Sequence, residues 1–148
     1  MSEVAVVETT VVEDEDGTRA SFDLVPIIDS VPGLDTFEGK KRAFNAVNGA
    51  ISLNDFEGKS IKVVGILQTK GYRVSLETGD NIPCCDSVLI GADGVGYFSK
   101  SDGIARSAQA IIRMFGNCSA WDNGVIEVKV EERALKNGRN LKLLQLVS

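Results

Sequence analysis

The sequence predicts a mainly β fold with one helix, in the order strand, strand, strand, helix, strand, strand, preceded by an acidic N-terminal extension. Three observations predict it. Segments rich in β-branched residues recur from Ser60 onward, one stretch among them has the spacing of an amphipathic helix, and charge is divided unevenly along the chain.

The extension comes first. Residues 1–38 carry ten acids and one base, a balance of −9, and include the run Glu13-Asp14-Glu15-Asp16 ahead of Gly17. Like charges in such a run repel one another and favour solvation over burial. The alternation in Glu3–Val12 is compatible with a strand, and Pro26, Pro32 and Gly33 mark residues 21–38 as an extended linker with some anchoring apolar residues. Residues 39–148 carry eleven acids and fifteen bases, a balance of +4, so the net charge of −5 conceals a mildly basic body. The expected division is therefore an acidic, partly disordered extension, 1–38, and a polyanion-binding domain, 39–148. The extension either competes with a ligand as a local polyanion or is plain solvated chain.

The domain opens with Lys40-Lys41-Arg42, a turn signal at Asn48-Gly49 and a short capped turn at Ser52-Leu53-Asn54-Asp55. Its barrel is expected over residues 58–148. The first strand is Ser60–Thr69, SIKVVGILQT, in which Gly65 predicts a bulge or bend. Lys70–Pro83, with Gly71, Gly79 and Pro83, reads as a polar connection. Asp86–Ile90 is the second strand, Asp93-Gly94 a hairpin turn and Gly96–Ser99 the third strand. Ser101 or Asp102 caps a helix with the body Ile104–Phe115, whose apolar residues at 104, 108, 111, 112 and 115 share a face; Gly116 ends it. Val125–Val130 alternates as the fourth strand, Asn137-Gly138 marks a loop tip, and Leu141–Val147 is the fifth. A helix between the third and fourth of five strands is the chain order of the OB-type Greek-key barrel.

Several function classes lose their basis. There is no histidine, the commonest general base. The three cysteines, Cys84, Cys85 and Cys118, lack both disulfide parity and the spacing of a zinc site, and read as reduced thiols. The pairs Asp55 with Glu57 and Glu131 with Glu132 read as solvated loop charge. Gly91–Gly96 lacks the Lys-Ser/Thr of a phosphate loop and leads into a strand. No catalytic residue, metal ligand or cofactor is assigned, and the chain is not expected to be an enzyme. The acidic N-terminus lacks a secretory n-region and no apolar run approaches a membrane span, so a cytoplasmic location without membrane contact is expected.

Binding of single strands needs positive charge for the backbone and flat rings for unstacked bases. On an OB-type barrel these belong on the second and third strands and on the loops joining strands 1–2 and 4–5. Candidates fall in those places: Lys70, Tyr72 and Arg73 in the first loop, Tyr97, Phe98 and Lys100 on the third strand, and Arg133, Lys136 and Arg139 in the last loop. Tyr97 and Phe98 are strand neighbours and face opposite sides, with Phe98 expected inside and Tyr97 outside. Tyr72 either stacks or is simply exposed. Trp121 is expected to plug the barrel end. The alternative is an OB-like protein-interaction or assembly module that does not bind DNA.

Ser52–Ile66 (SLNDFEGKSIKVVGI), Val88–Gly94 (VLIGADG), Tyr97–Ser107 (YFSKSDGIARS), Phe115-Gly116 and Trp121 together resemble small single-stranded DNA-binding proteins of bacteriophages and conjugative elements. The resemblance spans roughly Phe44–Val147. It implies a replication role in the host cytoplasm: protecting displaced single-stranded DNA without sequence specificity, alongside replication proteins. One barrel covers few nucleotides, which is compatible with a homo-oligomer or cooperative array on DNA. The acidic head, and a C-terminal segment Leu141–Ser148 that reads as strand rather than acidic tail, depart from the usual bacterial single-strand binding protein.

Overall fold

The computed structural model of the protein describes residues 27–147, the side chain of Arg73 excepted. The acidic run and Glu3–Val12 lie outside the described residues. Within 27–147 a seven-stranded mixed sheet curls into a half-barrel that carries two helices. In chain order the elements are β1 Ile28–Ser30, α1 Phe37–Asn48, β2 Ile51–Ser52, β3 Ser60–Val74, β4 Asn81–Gly91, β5 Gly96–Ser99, α2 Asp102–Phe115, β6 Ile126–Ala134 and β7 Asn140–Leu146. The expected series is present as β3, β4, β5, α2, β6, β7. The expected counts of five strands and one helix give way to seven and two among the described residues, because β1, α1 and β2 precede that series.

Each addition has a reason to escape a sequence pattern. β1 has three residues and β2 has two, too few for alternation to show. The buried face of α1 is built of small residues, Gly39, Ala43, Ala46 and Val47, while Phe37 and Phe44 are exposed, which blurs the apolar stripe. Thr36 starts this helix, its hydroxyl accepting from the Gly39 N–H at 3.0 Å.

β3 is the spine of the sheet. Ser60–Val63 pair with β6, Ile66–Gln68 pair with β1, and Val63–Val74 pair with β4 on the other edge. The register shifts between Val63 and Gly65, as the glycine predicts. A Cβ at Gly65 would come within 3.0 Å of the Ser30 carbonyl oxygen, so β1 can cross only over a glycine.

Alternation along β3, β4 and β5 builds two cores. Ile66, Leu89 and Tyr97 face inward against Ile104, Ala108 and Ile111 of α2. Leu67, Val88, Ile90 and Phe98 face outward and are covered by α1. α2 begins as expected, the Ser101 hydroxyl accepting from the Ile104 N–H at 3.4 Å, and ends at Gly116 with φ 80°. Trp121 is buried in the inner core, with Nε1 donating to the Gly116 carbonyl at 2.9 Å, the plugging role expected for it.

The first connection is shorter than the sequence suggests. Lys70–Val74 and Asn81–Pro83 belong to the β3–β4 hairpin, and only 75–80 form the turn. Gly71 fits inside a strand because the Asp86 carboxylate fills the space of its Cβ, 2.6 Å away. Pro83 is tolerated opposite Tyr72 because β5 pairs with β4 only over Ser87–Ile90, leaving this part of β4 at an edge.

The sheet order is β2-β5-β4-β3-β6-β7, and β2 pairs parallel with β5. Among the described residues its end strands, β2 and β7, do not pair. A seam therefore runs between the two ends of the curled sheet.

Candidate nucleic-acid interface

The seam is an open groove of about 850 Å³. One wall is formed by Ala50–Ser52, Asn54 and Asp55 with Phe98–Lys100, the other by Leu135 and Arg139–Lys142, and Ser101 with the first residues of α2, Asp102 and Gly103, completes the lining. Lys142 Nζ donates to Asn54 Oδ1 and ties the two sides together. α2 meets β7 so closely that a Cβ at Gly103 would lie 1.9 Å from the Lys142 carbonyl oxygen.

Residues of two of the three expected segments, 97–100 and 133–139, line this groove; Lys70 and Tyr72 do not. Phe98 is half-buried and lines it, as do Lys100 and the exposed Arg139. Lys100 Nζ lies 2.7 Å from Asp86 Oδ1, a carboxylate only 1% exposed, and 3.5 Å from the Tyr72 carbonyl oxygen. Lys100 thus joins the end of β5 to the β3–β4 hairpin.

Lys70, Tyr72 and Arg73 sit on β3 rather than in a loop, opposite Cys85, Pro83 and Ile82. Lys70 is exposed and Tyr72 is 43% exposed. The Cys85 thiol is pushed above its ordinary value, first by burial and then by the negative charges of Asp102 and Asp86, while Lys70 pulls the other way. Lys70 acts on this thiol because the two residues are paired across the β3–β4 hairpin, outside the groove lining. Arg133 and Lys136 are exposed on the β6–β7 hairpin without lining the groove, and Arg133 Nη2 donates to Gln145 Oε1 at 3.4 Å.

Tyr97 reverses the expected orientation. It faces the inner core at 6% exposure, edge-on to the Phe56 ring with centroids 4.9 Å apart. Its hydroxyl donates to Asp93 Oδ2 at 3.1 Å. Burial, followed by that carboxylate, raises its phenol pKa. A buried tyrosine needs an acceptor for its O–H, and the Asp93 turn supplies one. Phe98, expected inside, is half-buried against the outer core under α1 and also lines the groove.

Sequence reasoning misses Ile51, Asn54, Leu141 and Lys142, which also line the groove. No local pattern points to them, because the seam is made by the two ends of the sheet order. The one signal present is Lys142, the single charged residue of a leucine-rich strand. No described helix is long and apolar enough to cross a membrane.

A family model described as Phage Single-stranded DNA-binding protein matches residues 27–147, the span that the structure describes. No curated protein and no solved structure matches the chain.

Proposed function

Because the chain belongs to the Phi29-type phage single-stranded DNA-binding protein family, and so binds single-stranded DNA in phage replication, we propose that the DNA lies in the seam between β2 and β7. The observation that carries this reading is convergence: Phe98 and Arg139, from distant segments, line one groove whose wall is fixed to the β3–β4 hairpin by Lys100. Phe98 offers a face for an unstacked base, and Arg139, with Lys70, Arg133 and Lys136 exposed on the two hairpins, meets phosphates. A ring stacks on any base, so this contact carries no sequence preference, and each stacked base contributes about 1–3 kcal/mol.

In this reading the half-barrel is an OB-type barrel left open along one seam, with its ligand beside the strand and hairpins that such barrels use. The family is a DNA-binding family and not an enzyme family. The protein protects displaced strands in the host cytoplasm alongside replication proteins. An OB-type barrel covers about 4–16 nucleotides, so coating a long strand takes neighbouring copies side by side.

The test is an anisotropy titration of labelled oligo-dT and of a duplex of equal length, each at two salt concentrations. The single strand binds more tightly, and its affinity falls with salt as counterions are released. Arg139→Ala weakens binding and flattens the salt slope by about 0.7, the single-strand value for one phosphate contact. Equal affinity for duplex counts against the reading, and an unchanged slope in the variant removes the strand from the seam.

A further inference from the structure

α1 carries a surface that a soluble helix ordinarily leaves polar. It buries Ala43, Ala46 and Val47 against Leu67, Val88 and Phe98 of the sheet. At about 3.6 residues per turn, the opposite side presents Phe37, Lys41, Phe44 and Asn48 in one row. Phe37 is 75% exposed and Phe44 is 54% exposed. Lys41 Nζ stands 5.2 Å from the centre of the Phe37 ring, and 3.2 Å from Glu38 Oε2. Lys40 and Arg42 flank the row, both exposed. The helix covers the outer face of β4 and β5, where a barrel of this chain order otherwise presents its strands to a ligand. Beyond its C-terminal end the chain passes through Ala50 to Ile51, both of which line the seam groove.

We propose that the row Phe37–Lys41–Phe44 on α1 is a second contact for the same DNA strand as it leaves the seam. The two rings each stack an unpaired base, and Lys40 and Lys41 hold the phosphates between them. Seven residues separate the rings, about 10 Å along the helix, so they take two different bases. Three bases against one acid in Glu38–Arg42 make the row complementary to a polyanion. Its rings have no use for a duplex, whose bases are already stacked. The inference rests on the reading of the chain as a single-strand binder and adds α1 to the surface that does the binding.

The experiment compares wild type, Phe37→Ala with Phe44→Ala, Phe37→Tyr with Phe44→Tyr, and Lys40→Ala with Lys41→Ala, by titration with oligo-dT across a salt series. Circular dichroism melting checks that each variant folds; both phenylalanines are exposed, so folding is retained. The double alanine variant loses at least about fivefold in affinity per ring, and its salt slope is unchanged, because stacking displaces no phosphate counterions. The tyrosine pair keeps the affinity. The lysine pair flattens the slope by about 1.4, two contacts at the single-strand value. Wild-type affinity in the double alanine variant, while Arg139→Ala still weakens binding, overturns the inference and leaves the seam as the binding surface, with the row then assigned to a protein partner. Failure of the wild type to bind oligo-dT overturns both readings.

Discussion

Lys100 holds its ammonium 2.7 Å from a carboxylate that is 1% exposed, so its charge is neutralised at close range before any ligand arrives. It acts as an anchor of the groove wall more than as a phosphate ligand. Lys100→Met is expected to lower stability by about 1–3 kcal/mol while leaving the salt slope of oligo-dT binding unchanged. Urea unfolding combined with Asp86→Asn in a double-mutant cycle checks the coupling. Tyr97 is likewise a core residue. Tyr97→Ala is expected to cost about 3–5 kcal/mol, and Tyr97→Phe, which removes only the bond to Asp93, about 1 kcal/mol. Its folded pKa is raised above the ordinary 10.0, so the contribution of the neutral phenol is fully present below that value and is lost as pH rises through the folded one. Cys85 reports on the charges around the β3–β4 hairpin. Its raised pKa leaves less thiolate near neutral pH, so alkylation is slow and accelerates with pH beyond the ordinary 9.0. Asp102→Asn removes a negative charge and speeds alkylation, and Lys70→Met removes a positive one and slows it. The opposite order would contradict the pairing of Lys70 with Cys85.

At the scale of elements, two glycines decide how the helices dock. A Cβ at Gly96 would lie 2.1 Å from the Ala46 carbonyl oxygen, and one at Gly103 would lie 1.9 Å from that of Lys142. Both obstacles are backbone and cannot swing aside. Gly96→Ala is expected to lift α1 from β5, and Gly103→Ala to push α2 from β7, each costing about 1–3 kcal/mol or more, measured by thermal unfolding. Gly103→Ala also widens the seam and weakens oligo-dT binding beyond its effect on folding. The sequence makes α2 legible, since its cap, its apolar spacing and Gly116 all agree. α1 is not legible in this way. Its inner face is small-residue packing that depends on a sheet the local window does not contain, and its outer face holds the two exposed phenylalanines.

At the scale of the whole molecule, charge and closure matter most. Residues 1–20 contribute six of the chain's acids and one base. Deleting them is expected to raise oligo-dT affinity at low salt, with the gain vanishing at high salt as screening shortens the reach of the acidic run. Unchanged affinity at low salt would make the run a solvated appendage. Among the described residues, structure is already present ahead of residue 39, since β1 pairs with β3 and α1 starts at Phe37. Charge records where a chain meets water and ions, and a three-residue strand with a helix of small buried residues leaves little mark on it.

By itself the sequence determined the order of β3, β4, β5, α2, β6 and β7, the bend at Gly65, the capped helix and the basic balance of the body, because each is written in neighbouring residues. It also placed Phe98 and Arg139, which line the seam groove, among the candidates. Only the tertiary structure decided that Tyr97 turns inward, that Lys100 is held by Asp86, that α1 covers the outer sheet face, and that β2 and β7 leave a seam. Those outcomes depend on which distant surfaces fill the space beside a residue. Alternation on a strand separates Tyr97 from Phe98, but the Phe56 ring, brought in from elsewhere in the chain, chooses with the Asp93 carboxylate of the adjoining turn which of the two is buried.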